Sequence, residues 1–313
     1  MADQLTFYTD IDSAAGVPFA FDQVLAGADG GVLGLFDTDY ALCFGGATGG
    51  VTDPGEQPEM GQPIFDISAL DFTVDPENGT VIAQDVPSAG SITANNPANL
   101  AAYTGRMFDF SVVEIRNSVI RLPEAITARL AALANQHWMQ VLYARLPAQA
   151  DWNATGLRPF SCFSTALNGL SGDADLLTIG QAAQSGNPRL RAFRMTTGPG
   201  TGVQVQLQPQ AGAYGEVCQI AWWRNGDGEH LSLRSPVGRQ MVSVALGAPT
   251  SVDLSGKYPQ IGITNSFWQN PPGPAGDFAI ARGWFEDLEM SGRDPIGVLD
   301  ADWARTMERG AFV

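Results

Sequence analysis

Acidic side chains that could bind a metal ion occur in pairs within short polar loops of this 313-residue sequence. The pairs are Asp37-Thr38-Asp39, Asp173-Ala174-Asp175 and Asp227-Gly228-Glu229. Carboxylate oxygens are the hard ligands that calcium takes, and each pair places two carboxylates within reach of one ion. We expect no cofactor unless it is calcium bound by Asp227 and Glu229; the alternative is that these loops are solvated turns.

A tryptophan flanked by amide side chains lies in a proline-rich loop near the C-terminus. Trp268 is preceded by Asn265 and followed by Asn270, directly before the run 271–274 (PPGP). An aromatic ring can stack on a sugar ring while neighbouring amides exchange hydrogen bonds with its hydroxyl groups. The loop is therefore a candidate glycan-binding site. The alternative is that Trp268 packs beneath its own loop or against a neighbouring subunit.

The acidic run Glu286-Asp287-Leu288-Glu289 is the sharpest candidate for a glycoside hydrolase centre. Such an enzyme needs two carboxyl groups that flank the scissile bond. Side chains alternate across a strand, so Glu286 shares a face with Leu288, whereas Asp287 shares the other face with Glu289. Glu286 and Glu289 therefore do not face each other, and we expect their carboxylates at an exposed rim. The sequence predicts a protein that is not an enzyme.

Strand patterns must position these loops. Val203, Val205 and Leu207 alternate with glutamines, which predicts a strand with one buried and one solvated face. The near-continuous apolar run 217–223 ends in the tetrapeptide NGDG at 225–228, which is a strong hairpin signal. Strand patterns separated by Gly, Asn and Pro indicate an antiparallel arrangement. The fold class is predicted to be mainly β, an antiparallel β-sandwich or jelly roll.

One segment has helical rather than strand periodicity. Residues 123–146 place Ile126 and Leu130 at helical spacing, begin with Pro123 and end before another proline. Proline is accepted at the first helical position, where its missing N–H leaves no hydrogen bond unmade. The sequence thus predicts one long helix at 123–146, with His137 on its apolar face.

The charge is distributed unevenly along the chain. Residues 1–105 carry 15 acidic residues and no Lys or Arg, whereas residues 106–313 carry 18 acidic and 17 basic residues. This asymmetry predicts a small acidic, Gly-rich, β-rich docking unit at 1–105, with Asp37 and Asp39 as candidate docking residues, and a β-sandwich at 106–313. A negative surface repels phosphate, so no nucleic-acid partner is expected. No apolar run is long enough to predict membrane insertion.

The late strand patterns resemble the closing strands of laminin-G and concanavalin A-like sandwiches. The resemblance is carried by 252–256 (VDLSG), 261–263 (IGI) and 283–293 (GWFEDLEMSGR). Trp284 occupies a place where many members have a cysteine, and Phe278 stands further from the following glycine than the laminin-G pattern has it. The resemblance implies a concanavalin A-like sandwich. Such sandwiches serve lectins, hydrolases, adhesion modules and virion proteins alike.

An acidic, Gly-rich N-terminal third joined to a lectin-like sandwich resembles a tailed-bacteriophage or gene-transfer-agent virion protein of the fibre, spike or decoration type. The resemblance implies a structural protein on the particle surface that contributes to host attachment. Implied partners are other virion proteins, further copies in a homo-oligomer and a host-surface glycan.

The first ten residues carry no secretory signal, so assembly in the host cytoplasm and localisation in the virion are expected. Two alternatives to a tail fibre or spike stay open. One is a head decoration or collar protein with no ligand, and the other is a polysaccharide-degrading enzyme on the same sandwich.

Overall fold

The structure is a computed structural model that describes the chain in segments. The described residues are 22–37, 63–64, 70–74, 81–85, 92–95, 103–104, 107–109, 118–153, 158–164, 178–184, 187–198, 201–255, 257–263 and 279–309. None of the helices within these segments has the length and apolar character needed to cross a membrane.

Eighteen β-strands and four α-helices lie within the described segments. In chain order they are β1 (Val32–Asp37), β2 (Pro63–Ile64), β3 (Leu70–Val74), β4 (Val81–Asp85), β5 (Ile92–Asn95), β6 (Tyr103–Thr104), β7 (Met107–Asp109), β8 (Ser118–Arg121), α1 (Glu124–Ala132), β9 (Trp138–Arg145), α2 (Gln149–Asn153), β10 (Arg158–Ser164), β11 (Thr178–Gln184), β12 (Asn187–Gly198), β13 (Thr201–Leu207), β14 (Val217–Asn225), β15 (Gly228–Ser235), β16 (Gly238–Val244), β17 (Tyr258–Ile263), β18 (Ala279–Asp287), α3 (Leu288–Ser291) and α4 (Pro295–Glu308). Short 3-10 helices occupy Gln23–Leu25 and Ala211–Ala213.

The strands form two large antiparallel sheets. The first sheet has the order β16-β15-β14-β9-β18-β7-β6, and β1 lies beside β18 on the same side as β7. The second sheet has the order β13-β12-β11-β10-β17-β8-β5-β2, while β3 and β4 pair with each other. Buried apolar residues of both sheets belong to one core. The predicted fold class, a mainly β antiparallel sandwich, is confirmed.

Local sequence patterns account for several of these strands. The alternation predicted in β13 is confirmed, because Val205 and Leu207 are buried while Gln204 is exposed. The predicted hairpin is also present and joins β14 to β15. Gly228 closes this hairpin with a φ of +148°, and a Cβ there would lie 2.5 Å from the carbonyl oxygen of Val244. Only glycine fits such a close approach of two backbones.

The long helix predicted at 123–146 is wrong. α1 ends at Ala132, and Trp138–Arg145 forms β9, which lies between β14 and β18 in the first sheet. Gln136, between these two elements, has a φ of +50°, which a continuous right-handed helix does not allow. β9 is buried along nearly its whole length, and a near-continuous apolar run is compatible with either a helix or a central strand. His137 therefore lies just before β9, not on a helix face.

The longest described helix, α4, was not among the predicted elements. Asp294 caps its N-terminus by accepting a hydrogen bond from the backbone N–H of Gly297 at 2.8 Å, and Pro295 occupies the first helical position. Both features are helix-start signals that are readable in the sequence. The apolar stripe of α4 is narrow, with Leu299 as its only fully buried aliphatic residue.

β1 connects the acidic N-terminal third to the sandwich. It pairs antiparallel with β18, with Val32 opposite Glu286 and Asp37 opposite Arg282. β2 and β5 pair within the second sheet beside β8. These strands of the 1–105 segment thus lie in the two sheets, and the division of the chain at residue 105 stays a prediction.

Four tryptophan side chains of the first sheet are buried in the core. Trp138 and Trp222 meet edge to face with ring centroids 5.1 Å apart, and both are fully buried. Trp223 and Trp284 are buried as well, which confirms the expectation that Trp222, Trp223 and Trp284 are core residues. Aromatic side chains bury large apolar areas, so burial of these residues stabilises the first sheet.

Candidate functional site

α4 packs across one face of the first sheet. We call this the outer face, because it lies opposite the face whose side chains contact the second sheet. Trp303 of α4 stacks on Tyr143 of β9 with ring centroids 6.1 Å apart. The side-chain amide of Gln219 donates to the backbone oxygen of Leu299 at 3.0 Å. These contacts fix the helix over β9 and β14.

A buried charge cluster lies between α4, β1 and β18. The guanidinium of Arg282 is only 1% exposed. It donates through Nη1 to Asp22 and, at 2.7 Å, to Asp37, and through Nη2 to Asp302 at 3.0 Å. Arg309, directly after α4, donates to the same carboxylate oxygen of Asp37 at 2.8 Å. We call these five residues the Arg282 cluster.

The charges in the Arg282 cluster compensate one another. Burial by itself lowers the pKa of Arg282, but the attraction of Asp302, Asp22 and Asp37 outweighs it and raises that pKa well above its ordinary value. Burial by itself raises the pKa of Asp22, but the charge and hydrogen bond of Arg282, together with the N–H of Val24, lower that pKa below its ordinary value. Arg282 and Asp22 therefore stay ionised at neutral pH.

Tyr143 extends the cluster into the sheet. Its hydroxyl donates to Oδ2 of Asp302 at 2.6 Å and accepts a hydrogen bond from Nε2 of Gln219 at 2.8 Å. Burial and the neighbouring Asp302 charge raise the pKa of Tyr143 well above its ordinary value. The phenol thus remains a hydrogen-bond donor and fixes the orientation of Asp302.

A cavity of about 340 Å³ opens beside the Arg282 cluster. Its size falls within the range of about 300–1,000 Å³ that is usual for small-molecule sites. The polar side chains that matter for binding come from three parts of the chain: Asp22 and Gln23, Arg282, and Asp302, Arg305 and Glu308. This cavity is the candidate functional site of the described residues.

A second arginine fastens the same N-terminal segment to the outer face. Arg293 binds the carboxylate of Glu286 with two N–H groups, each at 2.8 Å, and donates to the backbone oxygens of Val24 at 2.7 Å and Ala26 at 3.1 Å. Glu286 is fully buried, so the expectation that it lies at an exposed rim is wrong. The cavity wall formed by Asp22 and Gln23 is consequently held in place from two sides.

The predicted docking residues do not form an exposed pair. The Asp37 side chain is fully buried within the Arg282 cluster, where Arg282 and Arg309 neutralise its charge. A carboxylate in the interior is stable only when cations neutralise it. Asp39 lies outside the described residues. Asp37 therefore serves the protein's own framework and is corrected as a docking residue.

The predicted calcium ligands also point to different environments. Asp227 lies in the turn between β14 and β15, whereas the Glu229 side chain is 0% exposed and forms an ion pair with Arg194 of the second sheet. Arg224 approaches the same carboxylate at 3.7 Å. Because two guanidinium groups occupy Glu229, it is not available to an ion beside Asp227. Among the described residues, no three His, Cys, Asp or Glu side chains are grouped closely enough to hold a metal.

The Arg194–Glu229 pair belongs to a polar network between the two sheets. Arg194 also donates to the hydroxyl of Thr250 at 3.0 Å, and that hydroxyl donates to the backbone oxygen of Met195 at 2.8 Å. The Gln136 side chain accepts from the N–H of Thr250 at 2.7 Å and donates to its backbone oxygen at 2.9 Å. These bonds satisfy groups that would be costly to bury alone.

The predicted glycan-binding residues Trp268, Asn265 and Asn270 lie outside the described residues. His230 stacks on Trp223 with ring centroids 5.0 Å apart, and its Nδ1 lies 2.7 Å from the hydroxyl of Ser243.

Sequence reasoning missed the arginines around which the site is built. Arg282 stands inside the otherwise apolar run 278–285, and Arg194 stands within 192–195 between Phe193 and Met195. An arginine inside an apolar strand needs a buried acidic partner, which is a signal that the sequence does contain. The identity of each partner depends on the tertiary fold.

No family model and no curated protein matches this sequence. Solved structures with similarity include a sialidase of Trypanosoma rangeli at 10% identity and a TM-score of 0.40, with 76% of this chain and 30% of that chain covered. A second is the Ruminococcus gnavus IT-sialidase CBM40 bound to α2,3-sialyllactose, at 13% identity and a TM-score of 0.35, with 57% of this chain and 91% of that chain covered.

A third is the full-length tailspike protein 2 from the Escherichia coli O157:H7 bacteriophage CAB120, at 11% identity and a TM-score of 0.37, with 78% of this chain and 28% of that chain covered. This chain thus spans less than a third of the sialidase and of the tailspike. Since all three TM-scores are low, the fold assignment rests on the strand pairing described above.

Proposed function

We propose that this chain is a structural virion protein of a tailed phage, exposed on the particle surface, which contributes to host attachment through its sandwich as part of a tail fibre or spike. The observation that carries the proposal is the set of buried arginine–carboxylate ion pairs within the sandwich. Arg282 and Arg194 neutralise buried carboxylates that lie far from them in the sequence. Arg293 pairs with the nearby Glu286 and donates to the backbone oxygens of Val24 and Ala26 in the N-terminal segment. Buried ion pairs of this kind favour one defined arrangement of the chain, which suits a part of an assembled particle.

The alternative of a polysaccharide-degrading enzyme is disfavoured by the state of its candidate carboxylates. Glu286 is bound by Arg293, and Asp287 accepts from Arg129 at 3.1 Å and from the N–H of Met290 at 2.9 Å. A general acid needs a carboxyl group with a raised pKa, and a nucleophile needs a free oxygen. Both oxygens of each carboxyl group are occupied by partners within the protein, which leaves neither group free to flank a glycosidic bond.

The attachment role is tested by binding of the full chain to host cells and to a glycan array. We expect binding that Trp268→Ala weakens while the fold is retained. Met241→Ala is the matched control, since Met241 is a large exposed apolar residue of β16. Absence of binding to cells and glycans would contradict attachment and favour a decoration or collar protein. Release of reducing ends from polysaccharides would show that the protein is an enzyme.

A further inference from the structure

The cavity beside the Arg282 cluster has a floor whose charges are already satisfied. Arg282 donates to Asp22 and Asp302, Asp22 also accepts from the N–H of Val24 at 2.9 Å, and Asp302 also accepts from Tyr143. These groups are buried and hold one another in position. A ligand entering the cavity would therefore meet a rigid polar floor that needs no rearrangement to receive it.

Three other lining side chains, Gln23, Arg305 and Glu308, have unused hydrogen-bonding capacity. Within the described residues, the Arg305 guanidinium has one ion-pair contact, with Oδ1 of Asp302 at 3.9 Å, and makes no hydrogen bond. Among the residues that the structure describes, the side chains of Gln23 and Glu308 have no hydrogen-bond partner. Arg305 supplies donors, Glu308 supplies acceptors and Gln23 supplies both.

The formal charge of the lining sums to zero, which restricts the ligand. Three guanidinium groups and three carboxylates face the cavity: Arg282, Arg305 and Arg309, and Asp22, Asp302 and Glu308. A free anion would lie against the carboxylates, and a free cation would lie against the guanidinium groups. An uncharged ligand that both donates and accepts hydrogen bonds meets neither repulsion.

We propose that this cavity binds one uncharged, hydroxyl-rich sugar unit. Sugar hydroxyls donate to Glu308 and accept from Arg305 and Gln23, while the volume of about 340 Å³ accommodates a ligand of one or two rings. The site is distinct from the loop that contains Trp268. Its link to host attachment rests on the proposed function, whereas the choice of ligand class rests on the cavity itself.

The test is saturation-transfer NMR on the full chain with methyl glycosides of glucose, galactose, mannose and N-acetylglucosamine. We expect at least one of them to bind, and Arg305→Met and Glu308→Met each to weaken that binding by about tenfold, the effect of losing a charge-assisted hydrogen bond. Arg129→Met is the matched control. Arg129 is also a helix arginine with one carboxylate partner, and its side chain is 35% exposed compared with 34% for Arg305.

Glycoside binding that is unchanged in both cavity variants would overturn the proposal, as would the absence of binding by all four glycosides. Binding of inorganic sulfate or of calcium ions in the cavity, without glycoside binding, would overturn the choice of an uncharged ligand. Host-cell binding that survives Arg305→Met and Glu308→Met would leave the attachment role standing and reject the link between this cavity and attachment. Glycoside binding without host-cell binding would leave this site standing and contradict the attachment role.

Discussion

Asp22 and Arg282 are 260 residues apart in the sequence and form an ion pair in the interior of the protein. The pair links the N-terminal third, which has no basic residue, to a strand of the C-terminal part. Asp37 from the same third meets Arg282 and Arg309 in the same cluster. The uneven charge of the sequence is thus compensated in part inside the fold, by arginines that come late in the chain.

Replacing Arg282 is expected to destabilise the protein strongly. Arg282→Met leaves the carboxylates of Asp22 and Asp302 buried without this cation, which costs about 3–5 kcal/mol of unfolding free energy. Asp300→Asn is the control, because Asp300 is 53% exposed and its ion pair with Arg239 contributes about 0–1 kcal/mol. Urea denaturation measures both. Equal effects of the two substitutions would contradict a supporting role for the cluster.

The lowered pKa of Asp22 predicts an acid-sensitive contribution to stability. Because the pKa of Asp22 is lower in the folded than in the unfolded chain, its contribution is present above the unfolded-state value of about 3.9 and is lost as the pH falls through the folded-state pKa. Denaturation series at decreasing pH should show a smaller loss of unfolding free energy in Asp22→Asn than in the native sequence. Parallel pH profiles of the two proteins would contradict the ion pair.

The fold class was predictable because it depends on local patterns. The alternation in β13 and the hairpin between β14 and β15 follow from spacing and turn residues that act over a few positions. β9 was mistaken for part of a helix, because a strand buried on both faces lacks the two-residue alternation that distinguishes strands. Only its position between two other strands of the first sheet decides its structure.

The site was less predictable because its partners are distant in sequence. The sequence suggested Asp37 as a docking residue and Glu229 as a calcium ligand, whereas the structure places both in buried ion pairs. Their actual partners, Arg282 and Arg194, lie 245 and 35 positions away. Short-range spacing cannot identify such pairs. The apolar surroundings of the two arginines show only that each needs a buried acid.

The ion pair between the two sheets should behave as a coupled unit. Glu229→Gln leaves the buried Arg194 charge unpaired, at a cost of about 3–5 kcal/mol of unfolding free energy. Arg194→Met leaves Glu229 with Arg224 at 3.7 Å as its remaining cation, so its cost should be smaller. The double variant should be less unstable than the sum of the two, with a coupling energy of about 0.5–3 kcal/mol. A double-mutant cycle in urea measures it, and strictly additive losses would rule out direct pairing.

Cys218 is expected to be unreactive while the protein is folded. Burial, with a smaller effect of Glu216, raises the pKa of the Cys218 thiol to about 12, so very little thiolate forms near neutral pH. After brief treatment with iodoacetamide, peptide mapping should find Cys218 unmodified in the folded chain and alkylated in urea. Alkylation at equal rates in both conditions would contradict its burial.

Docking through the acidic N-terminal third is expected to depend on salt. Of its 15 acidic residues, Asp22 and Asp37 are neutralised in the Arg282 cluster, so the docking prediction concerns the other 13. If these carboxylates meet a basic surface of another virion protein, raising the ionic strength should screen the attraction and release the protein. Sedimentation of particles at increasing salt measures the release. Retention independent of salt would point to apolar docking instead.

Immunogold labelling of particles released from a host that carries this gene tests the central claim most directly. The account predicts gold on the surface of intact particles, at the tail for a fibre or spike. Label confined to the head would favour the decoration alternative. Particles without label, together with protein found only in the cell fraction, would contradict a virion role.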